Sequence, residues 1–111
     1  MRATVMALTI CLGISAAAVA QDAKVTMTKG AEVYGAQKCA LCHSIGDKGN
    51  KKGPLDGVGS KLPAAEIRQW MTDAKAMTAK TNATRKPDMK SYALEKDDLD
   101  AVVAYMVSLK K

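Results

Sequence analysis

The sequence predicts an all-α protein with long loops, and three observations carry this prediction. Apolar residues recur at helical spacing in two segments, one beginning near Leu62 and the other near Asp97. The stretches between the regular segments are rich in glycine and polar residues. No segment shows the alternation of apolar and polar residues that is typical of a half-buried β-strand.

Residues 1–20 differ from the rest of the chain and predict a cleaved export signal. A single positive charge at Arg2 precedes an uncharged apolar run that ends in Ala18-Val19-Ala20, a small-residue cleavage pattern. An uncleaved membrane anchor is the alternative, although the run is marginal for a span of about 20 residues. Cleavage would leave residues 21–111 as one exported, periplasmic or otherwise extracytoplasmic domain. We expect no integral membrane segment in it.

The composition indicates that the side chains of this small domain are not sufficient by themselves to form a stable hydrophobic core. The chain has no phenylalanine, and its four aromatic residues are Tyr34, Trp70, Tyr92 and Tyr105. A domain of this size buries a modest share of its surface, and small exported domains add disulfides, metals or cofactors. Loss of residues 1–20 would lower the formal charge from +6 to +5. With no aromatic residues interleaved among the basic ones, nucleic-acid binding is not expected.

The first half of the mature chain predicts little regular structure. Residues 21–28 are polar and are expected to be irregular, whereas residues 29–38 resemble a short helix weakened by two glycines. Residues 44–61 contain five glycines and one proline, which is a loop composition, and no strand is expected there.

The second half contains the two clearer helices. Residues 62–77 carry Pro63 in the first turn and an apolar stripe at Ile67, Trp70, Met71 and Ala74. Residues 78–93 again look like loop. The last helix has aspartates at its start and Lys110-Lys111 at its end, which suits the helix dipole.

The five residues CALCH, Cys39 to His43, hold the only histidine and two of the three cysteines. A structural zinc site needs four ligands, and no second Cys/His cluster supplies the fourth. A thioredoxin-like dithiol normally sits in a βαβ setting, for which no strand is predicted. The third possibility is covalent haem attachment, for which C-x-x-C-H is the signature. Two thiols on one turn can reach both vinyl groups along one haem edge, and a haem would supply the missing apolar centre.

Over roughly residues 28–111 the chain resembles the class I monohaem cytochromes c. The resemblance rests on the segments GAEVYGAQKCALCH, GPLDGVG, MKSYAL and DDLDAVVAYMVSLK. It implies the cytochrome c fold, with three main helices and long loops around one haem c that is bound through Cys39 and Cys42. It also implies that His43 ligates the iron. The implied function is transfer of single electrons between redox partner proteins, without enzymatic turnover.

The second axial ligand is predicted to be Met89. It lies in a polar loop before the last helix, where it belongs to no packing stripe, and the family places its methionine ligand in a similar segment. Met77 is the main competitor. Lys90 stands where the family usually has proline, so ligation by Lys90 and an open iron site remain as alternatives.

Three further residues are predicted to support the haem. Gly53-Pro54 matches a family loop whose carbonyl accepts the proximal histidine N–H, which assigns that role to the carbonyl of Pro54. Trp70 and Tyr92 are candidates to hydrogen-bond a haem propionate or to pack beside the ring. Gly30 with Tyr34, and Tyr105, match family positions at which two helices cross closely.

Six lysines are expected to frame the haem edge and to steer docking onto acidic faces of redox partners. They are Lys38, Lys48, Lys51, Lys52, Lys86 and Lys90. The sequence leaves open a free, monomeric carrier or a fixed cytochrome subunit of a dehydrogenase or oxidase complex. A haem sensor or peroxidase-like protein would require an open iron position.

Overall fold

The computed structural model describes residues 16–111, with side chains described from residue 22 onward. Within this range the protein is mostly helical, which confirms the predicted all-α class. The elements are α1 (Ala16–Ala36), a 3-10 helix (Cys39–Leu41), β1 (Ser44–Ile45), β2 (Lys48–Gly49), α2 (Val58–Lys61), α3 (Ala64–Thr72), α4 (Ala74–Thr81) and α5 (Lys96–Ser108).

Helix α1 is longer than the sequence suggested. Residues 1–15 of the predicted export signal lie outside the described residues, whereas Ala16 to Ala20 belong to the backbone of α1. The prediction that residues 21–28 are irregular was wrong, because α1 runs through them. The segment has no glycine or proline before Gly30. The hydroxyls of Thr26 and Thr28 each bond a carbonyl four residues back at 3.0 Å, a contact compatible with the helix.

Helices α1 and α5 cross at Gly30. A Cβ on Gly30 would lie 2.5 Å from the Cβ of Tyr105 and would also meet the carbonyl oxygen of Ala101. One turn further along α1, the rings of Tyr34 and Tyr105 meet edge to face, with centroids 6.1 Å apart and planes at 75°. The predicted close crossing is therefore confirmed.

The predicted helix over residues 62–77 is two helices. Asp73 interrupts it with φ −145° and ψ 62°, and its carboxylate accepts the N–H of Ala76 at 3.3 Å, so it caps α4. The apolar stripe hid this break because Ile67 on α3 and Met77 on α4 are both buried. Helix α4 then continues to Thr81 and ends at Asn82 in the left-handed conformation, with φ 52°.

Residues 44–61 form a loop that contains one short β-hairpin and one turn of helix. Strands β1 and β2 pair antiparallel, with Ser44 opposite Gly49 and Ile45 opposite Lys48, and α2 adds one turn of helix. The prediction of no strand was therefore wrong, because strands of two residues are too short to show an alternating pattern of apolar and polar residues.

A cluster of three buried side chains lies at the centre of the described residues. Ile67, Val103 and Met106 form the core cluster, and the hydrophobic residues packed against it are only partly buried. These include Tyr34, Leu55, Val58, Leu62 and Met71. The core therefore has a substantial apolar surface that the protein itself does not cover.

Among the described helices, none combines the length and the apolar character needed to span a lipid bilayer.

Candidate functional site

A cavity of about 680 Å³ opens next to the core cluster. Its walls come from the end of α1, the CALCH segment, α3, α5 and the loop between α4 and α5. Six of the seven predicted cofactor-binding residues line it, and Pro54 is the exception. The six are Cys39, Cys42, His43, Trp70, Met89 and Tyr92.

The CALCH segment is a tight turn that brings both thiols to the cavity. Lys38 enters it in the left-handed conformation with φ 58°, and the 3-10 helix follows. The backbone N–H groups of Cys42 and His43 both donate to the carbonyl of Cys39, at 3.1 and 2.9 Å. Cys39 is half-buried, Cys42 is exposed, and they are not joined by a disulfide. Burial raises the pKa of the Cys39 thiol.

The His43 ring is oriented by a backbone carbonyl. Its Nδ1 lies 3.0 Å from the oxygen of Gly53. Because a carbonyl can only accept, Nδ1 carries the proton and Nε2 keeps its lone pair for a metal ion. Burial is the main cause that lowers the pKa of His43, so the imidazole is held in the neutral form that binds metals.

The carbonyl that accepts from His43 belongs to Gly53 and not, as predicted, to Pro54. The reason is the register between two chain segments: Ser44 N–H donates to the Gly53 oxygen at 3.1 Å, and Leu55 N–H donates to the Ser44 oxygen at 2.8 Å. This bridge places Ser44 beside Pro54 and turns the preceding carbonyl toward the histidine.

Asn50 holds the CALCH turn in place and was missed by sequence reasoning. Its N–H donates to the carbonyl of His43 at 2.9 Å and also lies 3.0 Å from the carbonyl of Ala40. Its side-chain amide donates to the carbonyl of Leu41 at 3.1 Å. Asparagine in a glycine-rich loop usually signals only a turn, so these contacts had no distinguishing sequence signal.

The loop over residues 83–94, here called the ligand loop, carries Met89 to the cavity. Met89 is half-buried at the cavity wall. Two hydrogen bonds anchor the loop just after it: Tyr92 N–H donates to the carbonyl of Met71 at 2.7 Å, and Ala74 N–H donates to Ser91 Oγ at 2.9 Å. Ser91 was also missed, because its partner lies across the fold.

The other methionines on helices α3, α4 and α5 divide into two groups. Met77, the main competitor in the sequence, is only 1% exposed and packs in the core without lining the cavity. Met71 and Met106 do line the cavity, from α3 and α5 respectively.

Aromatic residues surround the cavity as well. Trp70 and Tyr92 are half-buried in its wall, and Lys90 Nζ lies 5.2 Å from the centre of the Tyr92 ring. Burial raises the pKa of Tyr34 to about 12. Its hydroxyl is buried and has no hydrogen-bond partner among the described residues.

The residues of this cavity fit a haem. The volume lies in the range of cofactor sites, and the partly buried apolar residues around the core would be covered by a large planar apolar group. The orphan Tyr34 hydroxyl lies in the same wall. By contrast, no three His, Cys, Asp or Glu side chains within the described part of the chain are grouped to hold a bare metal ion.

Searches of curated proteins and of solved structures returned no match. The family model described as cytochrome c matches residues 27–110, most of the chain. This match agrees with the CALCH turn, the helical fold and the apolar cavity. The chain therefore belongs to the cytochrome c family, which carries covalently attached haem c and serves haem-based electron transfer.

Proposed function

We propose that the protein is an exported one-electron carrier with a single haem c ligated by His43 and Met89. The observation that carries the proposal is the convergence of Cys39, Cys42, His43 and Met89 on one cavity. When bound, the haem iron accepts and releases one electron, and methionine beside histidine raises its reduction potential.

Three residues of the CALCH segment have different roles in holding the haem. Cys39 and Cys42 supply the thiols for covalent attachment from one turn of chain. His43 would hold the iron through Nε2, because the Gly53 carbonyl fixes the Nδ1–H tautomer. The hydrogen bonds from Asn50 to this turn would hold His43 in the orientation that the bound group requires.

Met89 is the better candidate for the second ligand on structural grounds. Met77 is enclosed in the core, and Met71 and Met106 lie on helices that pack around the cavity. Met89 alone among the cavity methionines lies on an irregular segment, whose position is set by the anchors at Ser91 and Tyr92. Lys90 is exposed and lies against the Tyr92 ring, which favours a packing role over ligation.

The surface around the cavity suits acidic redox partners. All six lysines predicted to frame it are exposed, and Lys38 and Lys90 contribute to its wall. Leu41, beside Cys42, is 70% exposed and offers an apolar contact within this basic region. We propose docking of a monomer to acidic faces, as a free carrier rather than a fixed subunit. Electron-transfer rates with an acidic partner should then fall as salt rises, whereas stable co-purification would favour the subunit.

The test is the visible spectrum of protein exported from a host that attaches haem. We expect a low-spin spectrum with a methionine–iron charge-transfer band in the oxidised form. Met89→Leu should abolish the band and lower the reduction potential, because it removes the thioether at nearly constant volume. Met71→Leu is the matched control and should keep the band.

Two results would count against this proposal. A band that persists in Met89→Leu and disappears in Met71→Leu would move the ligand to α3. Carbon monoxide binding to the reduced wild-type protein at neutral pH would show an open iron position, as in the sensor or peroxidase-like alternative.

A further inference from the structure

Arg85 reaches from the ligand loop to the loop that orients His43. It lies four residues before Met89, and its guanidinium lies over the Cα of Gly53. A Cβ on Gly53 would meet the Arg85 Nη1 atom and would lie 2.9 Å from its Cζ. The Gly53 oxygen accepts the hydrogen bond from His43 Nδ1. The Arg85 side chain, which comes from the loop of Met89, therefore contacts the residue that orients His43.

The space for this contact exists because residue 53 has no side chain. Gly46, Gly49 and Gly57 have positive φ values that favour glycine, whereas Gly53 does not. Glycine is required at position 53 because the Arg85 guanidinium and the carbonyl of Cys42 both occupy the space that a Cβ would fill. Any larger residue at position 53 would displace the guanidinium.

Arg85 has no carboxylate partner among the described residues, in contrast to two other cations of the chain. Arg68 forms an ion pair with Asp100 at 2.6 Å, and Lys86 pairs with Asp88 at 2.7 Å. Across residues 22–111, Arg85 forms no such pair. Its guanidinium lies beside Gly53, whose carbonyl accepts the hydrogen bond from the His43 ring.

We propose that Arg85 is a positioning residue, which acts on the haem iron through Gly53 and His43. Its positive charge beside these residues raises the reduction potential of the iron. The inference rests on the proposed ligation by His43. Reduction by a redox partner would add one electron and would lower the charge on the bound haem iron by one unit. A fixed cation near the axial ligand disfavours the more positive, oxidised state and so favours reduction.

The experiment compares reduction potentials of exported, haem-loaded variants at constant pH and ionic strength. Arg85→Gln should shift the equilibrium constant for reduction at least threefold toward the oxidised form, about 28 mV for a one-electron couple. Arg85→Lys keeps the charge and should retain most of the wild-type potential. Arg68→Gln removes the same formal charge outside the cavity wall and should shift it less than Arg85→Gln.

The proposal would be overturned if Arg85→Gln and Arg68→Gln had the same reduction potential. This holds whether or not Arg85→Gln is less stable than the wild-type protein. Gly53→Ala supplies a second variant if Arg85→Gln does not retain haem. It keeps the arginine but fills its space, and an unchanged potential there would equally contradict the proposal. Failure of the Met89 assignment is distinguishable, because it shows in the wild-type spectrum before any arginine variant is compared.

Discussion

The crossing of α1 and α5 allows one packing contact to be tested with an internal control on the same helix. In Gly30→Ala, the new Cβ would lie 2.5 Å from the Cβ of Tyr105 and against the carbonyl oxygen of Ala101. Both are fixed to the backbone of α5, so neither can rotate away. At Gly35, also in α1, a Cβ would meet nothing within 4 Å among the described residues, apart from its chain neighbours and the adjacent backbone of α1.

The two substitutions share one favourable term and differ in one unfavourable term. Alanine is favoured over glycine inside a helix by up to about 1 kcal/mol, and less near the helix end where Gly35 lies. Overpacking a tight contact costs about 1–3 kcal/mol. Gly35→Ala should therefore be neutral or stabilising by up to ~1 kcal/mol. Gly30→Ala should be less stable than Gly35→Ala by roughly 1–3 kcal/mol.

Thermal and urea unfolding of the haem-loaded proteins, followed by circular dichroism, would measure this difference. For a domain of this size about 1 kcal/mol moves Tm by roughly 4–8 °C, so Gly30→Ala should melt at least about 4 °C below Gly35→Ala. Equal stability of the two variants would refute the reasoning. It would show that α1 and α5 can separate slightly at no cost, and that the glycine does not determine how closely they cross.

Two further predictions concern the cavity wall. Ser91→Ala should lower the free energy of unfolding by about 1–3 kcal/mol, because it leaves the N–H of the fully buried residue Ala74 without its partner. On heating, this variant should lose the methionine–iron band at a lower temperature than the control Ser60→Ala. The control removes only an exposed hydrogen bond, which Lys111 N–H donates to Ser60 Oγ. Tyr34, whose folded pKa is raised from 10.0 to about 12, should make stability fall as pH rises between those values, since the unfolded chain loses its proton first. Urea unfolding at pH 9 and pH 11 should show a smaller loss in Tyr34→Phe, and an equal loss would contradict the assignment.

The parts of the site that the sequence predicts are those encoded locally. The CALCH turn places two thiols and an imidazole within five residues, so their proximity does not depend on the rest of the fold. The last helix is likewise predicted by its own periodicity and by Asp97 and Asp98 in its first turn, whereas Lys110 and Lys111 lie beyond its end at Ser108. Met89 could be proposed because it belongs to no apolar stripe, and the cavity wall supports that proposal.

The parts that were missed depend on contacts between distant segments. Asn50, Ser91 and Arg85 are ordinary polar loop residues until the fold brings them to their partners. The break at Asp73 was missed because buried apolar residues occur on both sides of it, Ile67 on α3 and Met77 on α4, so the apolar pattern continues across it. The carbonyl that accepts from His43 was assigned to Pro54 and belongs to Gly53, an error of one residue that spacing along the sequence cannot resolve.

The same long-range contacts explain how the ligand loop accommodates Lys90 where a proline is usual in the family. Proline would restrict the backbone at that position through its own ring. Here the two following residues do so through hydrogen bonds, Ser91 to α4 and Tyr92 to the last turn of α3. Because both bonds lie within three residues of Met89, they limit the movement of its backbone whatever the identity of residue 90. The position of Met89 then depends on where α3 ends and α4 begins, which is set by Asp73.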